Sequence, residues 1–598
     1  MWTSCIWLAG LWILALAGWP WVRHAFSGLP GRESLFLPGG LLLYLLASQA
    51  VWRLGLTAPH PVWSWLTVAG YAAAGWRFFP APLPRTLWKG GLIFSTAFLF
   101  WAWVRAGSPG VLHTEQPVGV LWMREAMISR RPPLADPWFG GAPASYYTDG
   151  PQMLGFLAVL MGTPARLAVN LGQITWFALT VSLLAAVGMA MGGNRTARLT
   201  LLFFWIAPPT GAWTALQRRE SPLWWWPATR ILGNDQSEMI TEFPTFSFWL
   251  GDNHAHLLGL PILLFCVLSA LQVHRSRRLS APHIPGLCLL GLVWSLRINP
   301  WQAPLALALP VLAWASRRTP LPRPLPPRWP LLWSLLPLLL LWPPAKESPF
   351  MGVAFNQLGL TPLWGYFALF GFFLPMLFGL RRRFEWSLLL LATAMLFCAE
   401  VFVIRDLFGT RMNTVFKIWL QVWVLLALLA AAGAGRLRHG RFLLLLIALP
   451  GALYPARLLF DRARMPSRSL DAWAMHPPAV RHLLEVADAA IRPGDGIVES
   501  AGISYQPLSS LLGTWTAGHT VLGWTGHQQQ WRPGTPLPDP GRYFRQPELF
   551  LADPRLRWML VDAGAREAYA LTPEWVAWMD EHADRWVDVP GWILFGKR

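Results

Sequence analysis

The sequence predicts a polytopic α-helical membrane protein that carries a small α/β domain outside the membrane. Three observations predict it. Among 598 residues, 54% are hydrophobic and only 13% charged, with a mean hydropathy of +0.38, which excludes a soluble globule with an ordinary polar surface. Apolar runs near the ~20 residues needed to cross hydrocarbon recur as far as Leu453. Arginine-rich turns separate every second pair of these runs, the alternation expected of loops that stay in the cytoplasm.

In chain order the apolar runs are Trp7–Val22, Leu35–Trp52, Val62–Phe79, Leu87–Val104, Leu167–Met191, Leu199–Trp213, Leu257–Val273, Ile284–Leu296, Ala303–Trp314, Leu331–Trp342, Leu363–Leu380, Leu388–Ile404, Val415–Ala432 and Phe442–Leu453. They predict roughly fourteen crossings, the shorter and Pro-interrupted ones as tilted or broken spans. The segment Gln152–Gly162 is apolar but too short to span, and is expected at the outer interface. The first run lacks a small-residue cleavage site and reads as a retained span.

The net charge of +19 points to topology rather than nucleic acid. Arg195 and Arg198, Arg275 to Arg278, Arg317 to Arg328, Arg381 to Arg383 and Arg436 to Arg441 all fall in short connections. The Pro/Arg-rich run 317–330 reads as a stiff cytoplasmic loop. This arrangement puts the connections 106–150, 214–252, 297–302, 344–362 and 405–413 outside, together with everything after Pro455. Residues 1–105 form an N-terminal set of spans, 106–458 the transmembrane core, and 459–598 the outer domain. Within that domain Val480–Ile491 and Pro573–His582 predict helices, and GDGIVES, RWMLVDAG and GWILFGK predict strands. The four cysteines lie in or beside apolar runs, so neither a disulfide framework nor a CxxC metal site is present.

Polar residues that topology does not need gather in the outer segments. Glu115, Asp136, Tyr146, Tyr147 and Asp149 lie in the first long loop, and Glu238, Glu242, Asp252, His254 and His256 in the second. Asn299 and Trp301 sit in RINPWQ, Arg405, Arg411 and Lys417 in RDLFGTRMNTVFK, and His527 and Trp531 in the outer domain. Ionisable groups at membrane edges are costly and tend to be functional. Asp252 suits an N-cap of the following helix. His254 and His256, two apart, would face about 200° away from each other on a helix, whereas Asp252 and His256 would share a face. That geometry argues against zinc and leaves Asp252 with His256 as a candidate Mg²⁺ or Mn²⁺ pair. Arg411 and Lys417 suit a phosphate or pyrophosphate head group, with snorkelling at the interface as the bland alternative. Trp224–Trp226 reads first as an interfacial belt and second as a platform for sugar rings.

The combination DPWFGGAPASYYTDG, EFPTFSFWLGDNHAH, RINPW, FGTRMNTVFKIWLQVWVLL and VLGWTGHQQQW resembles the YYY-motif membrane proteins, the DUF2298 family. The family's third tyrosine is Thr148 here. That resemblance implies a GT-C-like architecture and a lipid-phosphate-sugar glycosyltransferase with a catalytic carboxylate in the first outer loop. Glu115 is then the leading base, with Asp136 and Asp149 as alternatives. Implied partners are the lipid bilayer, a polyprenyl-phosphate-sugar donor and a glycan, lipid or protein acceptor, in a bacterial or archaeal inner membrane. In the resulting inverting mechanism the carboxylate deprotonates the acceptor, Arg411 and Lys417 stabilise the departing phosphate, and Asp252 with His256 orients it. Tyr146, Tyr147, Glu242, His254, Asn299, Trp301 and Arg405 complete the expected substrate surface, and His527 and Trp531 the acceptor side. The competing readings are a lipid-head-group or polyisoprenoid transporter, a membrane assembly factor, and a lipid-pyrophosphate phosphatase.

Overall fold

The computed structural model describes residues 2–217, 221, 223–232, 239–276, 283–317, 336–341, 351–437 and 440–598. Among these, eight helices are long and apolar enough to cross a membrane, or nine if the bent pair Asn194–Trp205 and Pro209–Gln217 forms one span. Of the remaining predicted crossings, two fall on the shorter apolar helices Ile284–Ile298 and Leu363–Leu377. Val62–Phe79 and Ala303–Trp314 form the helices Pro61–Phe78 and Ala303–Ala315, which are not among the eight, and Leu331–Trp342 lies partly outside the described residues. Glu238, residues 318–330 and the start of the 344–362 loop also lie outside them.

Two helices form the centre of the bundle. Ala255–Arg275 is buried throughout its apolar window, and Met412–Ala434 over 94% of it, whereas Phe442–Ala463 is buried over only 22%. The peripheral helix turns Leu445, Leu446 and Leu449 outward, the face a lipid solvent accepts without cost. Small residues let backbones meet. At Gly433 an added Cβ would overlap the Met376 carbonyl oxygen, so this crossing admits only glycine.

The two ends of the bundle differ in chemistry. At one, Arg436 forks onto Glu385 at 2.6 and 2.7 Å. There too, Arg275 and Arg382 donate to the Ala190 and Met191 carbonyls that close the Ala165–Gly192 helix. This is the end that the arginine-rich turns define. At the other end Asp149 accepts from Arg53 at 2.7 Å and from Arg297 at 2.9 Å. The first loop, the 239–254 connection, the start of Met412–Ala434 and the C-terminal domain all meet there. The Asp149–Leu160 helix, which holds most of the short apolar segment Gln152–Gly162, is buried at every position.

Strands β1 (Val353–Phe355) and β2 (Phe402–Ile404) make a small antiparallel ribbon in the membrane part. The C-terminal domain is α/β, as its pattern predicts. Its strands β3 (Gly496–Val498), β4 (His519–Thr520), β5 (Leu556–Asp562), β6 (Ala583–Val589) and β7 (Trp592–Lys597) form one sheet in the order β4-β3-β5-β7-β6. The first long loop binds the domain edge: Thr520 and Gly523 donate their N–H to the Pro137 and Trp138 carbonyls, each at 2.8 Å. Trp138 then stacks on Trp531 with ring centroids 6.3 Å apart, which seats the domain over the end of the bundle.

Candidate functional site

Beneath that domain lies a cavity of about 560 Å³. Glu115, Tyr146 and Tyr147 of the first loop, Glu242, Asp252, His254 and His256 of the next connection, and Lys417 line it, and Tyr505 and Trp531 of the domain close it from above. Four segments that the sequence singled out thus reach one site.

The local geometry of GDNHAH differs from the helical reading. Gly251, at φ +70°, ends the short helix Pro244–Leu250, a conformation glycine adopts without penalty. The next helix begins only at Ala255, with extended His254 as its N-cap. Asp252 is therefore not the cap. It accepts from the Thr114 hydroxyl at 3.0 Å through Oδ2, and its buried Oδ1 has no partner among the described residues. Because His254 lies outside the helix, the about 200° separation expected for i and i+2 does not apply. The two imidazoles face each other instead, Nδ1 to Nδ1 at 2.7 Å.

A continuous polar chain results. Glu115 Oε2 lies 2.8 Å from His254 Nε2, and the Tyr146 hydroxyl 2.9 Å from the same nitrogen. His256 Nε2 lies 3.5 Å from Glu242 Oε2, and Ser247 donates to that same oxygen at 2.8 Å. Lys417 donates to the Tyr147 hydroxyl at 3.2 Å and rests 5.0 Å above the Trp301 ring. Tyr146 packs between Tyr147, at a centroid distance of 4.0 Å, and Trp531, at 4.9 Å.

Burial sets the protonation states against these partners. Burial pushes the Asp252 carboxyl up to about 7 despite the His254 charge, and Glu115 adds to the rise. Burial alone would raise Glu115 too, but His254 and His527 hold it well below the usual carboxylate range. His254 would be lowered by burial; the Glu115 carboxylate overrides this and lifts it to about 9. Burial also opposes Tyr147 ionisation, yet Lys417 and His254 bring its hydroxyl below the ordinary tyrosine value. The site thus holds an ionised Glu115, a cationic His254 and an Asp252 poised near neutrality, a range suited to proton transfer.

Several expected site residues are placed elsewhere. Asp136 is fully buried and accepts from Gln528 at 3.0 Å and Arg532 at 3.2 Å, tying the loop to the domain. Asp149 is taken up by Arg53 and Arg297. Arg411 is 1% exposed and donates to Glu400 at 2.6 Å and to the Gly359 and Ala399 carbonyls at 2.8 Å, so its charge serves the fold. Neither Asn299 nor Arg405 lines the cavity; Asn299 is buried behind it, and Arg405 lines a separate groove along β2. His527 stands one layer back, with Nε2 3.4 Å from Glu115. The expected Asp252–His256 cation pair does not close into a ligand set. Both His256 nitrogens face other groups, and among the described residues no three His, Cys, Asp or Glu side chains converge to hold a metal ion.

Further residues line the cavity. Trp225, Trp226 and Arg230 do so, with the Arg230 guanidinium 3.9 Å above the Trp226 ring, so two tryptophans of the Trp224–Trp226 run form a wall, while Trp224 donates to Asp461 at 2.7 Å. The arginine in WWWPATR was the available signal, a charge beside aromatics in an outer loop. Tyr505, at φ +68°, gave no comparable signal, because its placement depends on a backbone turn in another domain.

The fold and site define a polytopic helical membrane protein with a polar, aromatic-walled chamber at one end of its bundle, covered by an α/β domain. The chain belongs to the DUF2298 family of uncharacterized membrane proteins, whose pattern matches residues 41–322 and 331–426. The matched stretch holds Glu115, Glu242, Asp252, His254, His256 and Lys417 and ends before the C-terminal domain begins. No curated protein matches the chain.

Proposed function

We propose that this protein is a membrane glycosyltransferase of GT-C type that moves a sugar from a polyprenyl-phosphate donor to an acceptor at the outer face of a bacterial or archaeal inner membrane. The observation that carries the reading is the unpartnered, buried Asp252 Oδ1, set in a chamber that Lys417 and aromatic rings also line. In this reading Asp252 rather than Glu115 is the base, since two histidines hold the proton affinity of Glu115 low. The acceptor hydroxyl oxygen bonds to the anomeric carbon as its proton passes to Asp252. The bond from that carbon to the phosphate oxygen breaks, and its electron pair leaves with the lipid phosphate. Lys417, the ammonium among the cavity-lining residues, meets the charge that grows there. Tyr147 orients Lys417, and Trp531 offers a face on which a sugar ring can stack. The polar groups gather at the end of the bundle rather than at mid-depth, where a transporter's site is expected.

The test uses the full chain in lipid nanodiscs, presented with radiolabelled polyprenyl-phosphate hexose and the free polyprenol. The reading expects tighter binding of the phosphorylated lipid and, with water standing in as the acceptor hydroxyl, release of free hexose and polyprenyl phosphate that Asp252→Asn abolishes. Equal affinity for the two lipids would overturn it.

A further inference from the structure

The His254–His256 contact fixes a proton count. Each Nε2 points at a carboxylate, His254 at Glu115 at 2.8 Å and His256 at Glu242 at 3.5 Å. A carboxylate only accepts, and the Tyr146 hydroxyl 2.9 Å from the His254 nitrogen can accept as well, so each Nε2 is assigned a hydrogen. Between the rings, Nδ1 meets Nδ1 at 2.7 Å. Two bare lone pairs would repel at that distance, and two N–H groups would collide; one hydrogen between them satisfies both. Three ring hydrogens on two imidazoles leave one positive charge on the pair.

We propose that His254 and His256 form a proton-sharing imidazole pair, a single cationic unit whose charge shifts between Glu115 and Glu242. Passage of the hydrogen from one Nδ1 to the other breaks one N–H bond and forms the other, with no oxidant or co-reactant. It moves the positive charge from the Glu115 side to the Glu242 side. Glu115 then loses its nearest cation and becomes more basic; the reverse step restores it. The pair therefore couples the proton affinity of Glu115 to that of Glu242, the two carboxylates at its ends.

The groups that face the pair fit this role. Tyr146 and Tyr147 approach from the first loop, Asp252 from the pair's own connection and Lys417 from the Met412–Ala434 helix. His527 backs Glu115. Phe416 presses on the His256 ring at a centroid distance of 4.6 Å, which limits rotation that would break the contact. The lift of His254 to about 9, held by Glu115 against burial, agrees with a charge retained at neutral pH. The charge count stands apart from the transferase reading. Only its use during transfer rests on that reading.

Nitrogen-15 NMR of histidine-labelled full-length protein in nanodiscs, without substrate, tests the pair directly. The expected result is one strongly downfield hydrogen coupled to two ring nitrogens. It should persist between about pH 5 and 8, the window in which an isolated imidazole loses its charge. His256→Gln and His254→Gln should each abolish that resonance, and thermal unfolding of both variants checks that the fold is retained. Should either variant fail to fold, the wild-type pH series decides alone. Two separate neutral rings, or a charge lost near pH 6.5 as in a free imidazole, would overturn the proposal. A positive result alongside absent glycosyl transfer would sustain the pair and count only against the transferase.

Discussion

Asp136 and Arg532 meet 3.2 Å apart with side chains 0% and 4% exposed, joining the first long loop to the C-terminal domain. Removing one partner of a buried pair leaves an uncompensated charge and costs about 3–5 kcal/mol. Asp136→Ala should therefore lower the unfolding temperature and expose the domain linkage to protease, with any activity lost in proportion to the folded fraction. A variant as stable as the parent but inactive would instead return Asp136 to the catalytic role that its loop position suggests.

Lys417 and Arg411 should behave as opposites. Lys417 lines the chamber, so Lys417→Met should weaken binding of a lipid phosphate by about 1.5–3 kcal/mol, the worth of a charge-assisted contact, with little change in stability. Arg411 is bonded to Glu400 and two carbonyls, so Arg411→Met should destabilise the fold and leave the affinity of the surviving protein unchanged. Lipid titration beside thermal unfolding separates the two. Equal affinity of Lys417→Met and parent would remove Lys417 from the phosphate site.

The topology has a direct chemical check. Arg130 in the first loop and Gln506 in the domain are exposed at the chamber end, and Arg383 is exposed at the arginine-rich end. Single cysteines at these positions, in a chain whose four native cysteines are replaced, should react with a membrane-impermeant reagent in intact cells at 130 and 506 only. Labelling at 383 with protection at the other two would invert the orientation.

Much of this architecture was legible because it depends on residue type alone. The arginine-rich turns mark one end of the bundle since charge is expelled from hydrocarbon wherever the chain carries it. The helix Pro573–His582 and the strands within GDGIVES, RWMLVDAG and GWILFGK follow from local periodicity. Strand β6 is not legible in this way, because its burial comes from pairing with β7 and not from its own pattern. The site was legible in membership and not in roles. Glu115, Glu242, Asp252, His254, His256 and Lys417 reach one chamber, but Asp136, Asp149 and Arg411 look the same in sequence and are consumed by partners hundreds or tens of residues away. The His254–His256 contact was hidden by one local fact, that Gly251 and the extended 252–254 stretch delay the helix to Ala255.

Glu499 offers a test of burial without chemistry. It accepts from the Leu512 and Gly513 N–H at 3.1 and 3.0 Å, yet burial pushes it up to about 7. A folded value above the unfolded one favours the protonated carboxyl, so the stabilisation is present at low pH and is lost as pH rises toward 7. The domain should weaken by about 3 kcal/mol between pH 4 and 8 on this account, since a tenfold change in proton affinity is worth about 1.4 kcal/mol. Glu499→Gln should flatten that dependence, while its single amide oxygen serves only one of the two backbone N–H groups and lowers stability at every pH. An unchanged slope would show that Glu499 is not the responsible group.

Asp252→Asn separates base from scaffold most sharply. Asparagine keeps an oxygen that can accept from Thr114, so the local hydrogen bond at 3.0 Å survives the change. The parent carboxyl sits near 7 because burial disfavours its charge, with Glu115 adding to the rise against His254. Above that pH the folded protein bears an unfavourable buried anion, and the neutral asparagine relieves it; the variant should therefore be at least as stable as the parent at pH 8. Its turnover should nonetheless fall by about 10²–10⁴, the usual contribution of a positioned base. In the parent, kcat/KM should rise as pH passes about 7, where Asp252 ionises, and fall toward about 9, where His254 loses its charge. The rising limb should be absent from any residual activity of Asp252→Asn, while His527→Gln, which acts only from behind Glu115, should retain it. A stable Asp252→Asn protein with full turnover and an unaltered pH profile would assign the base to another group and leave Asp252 as a partner for Thr114.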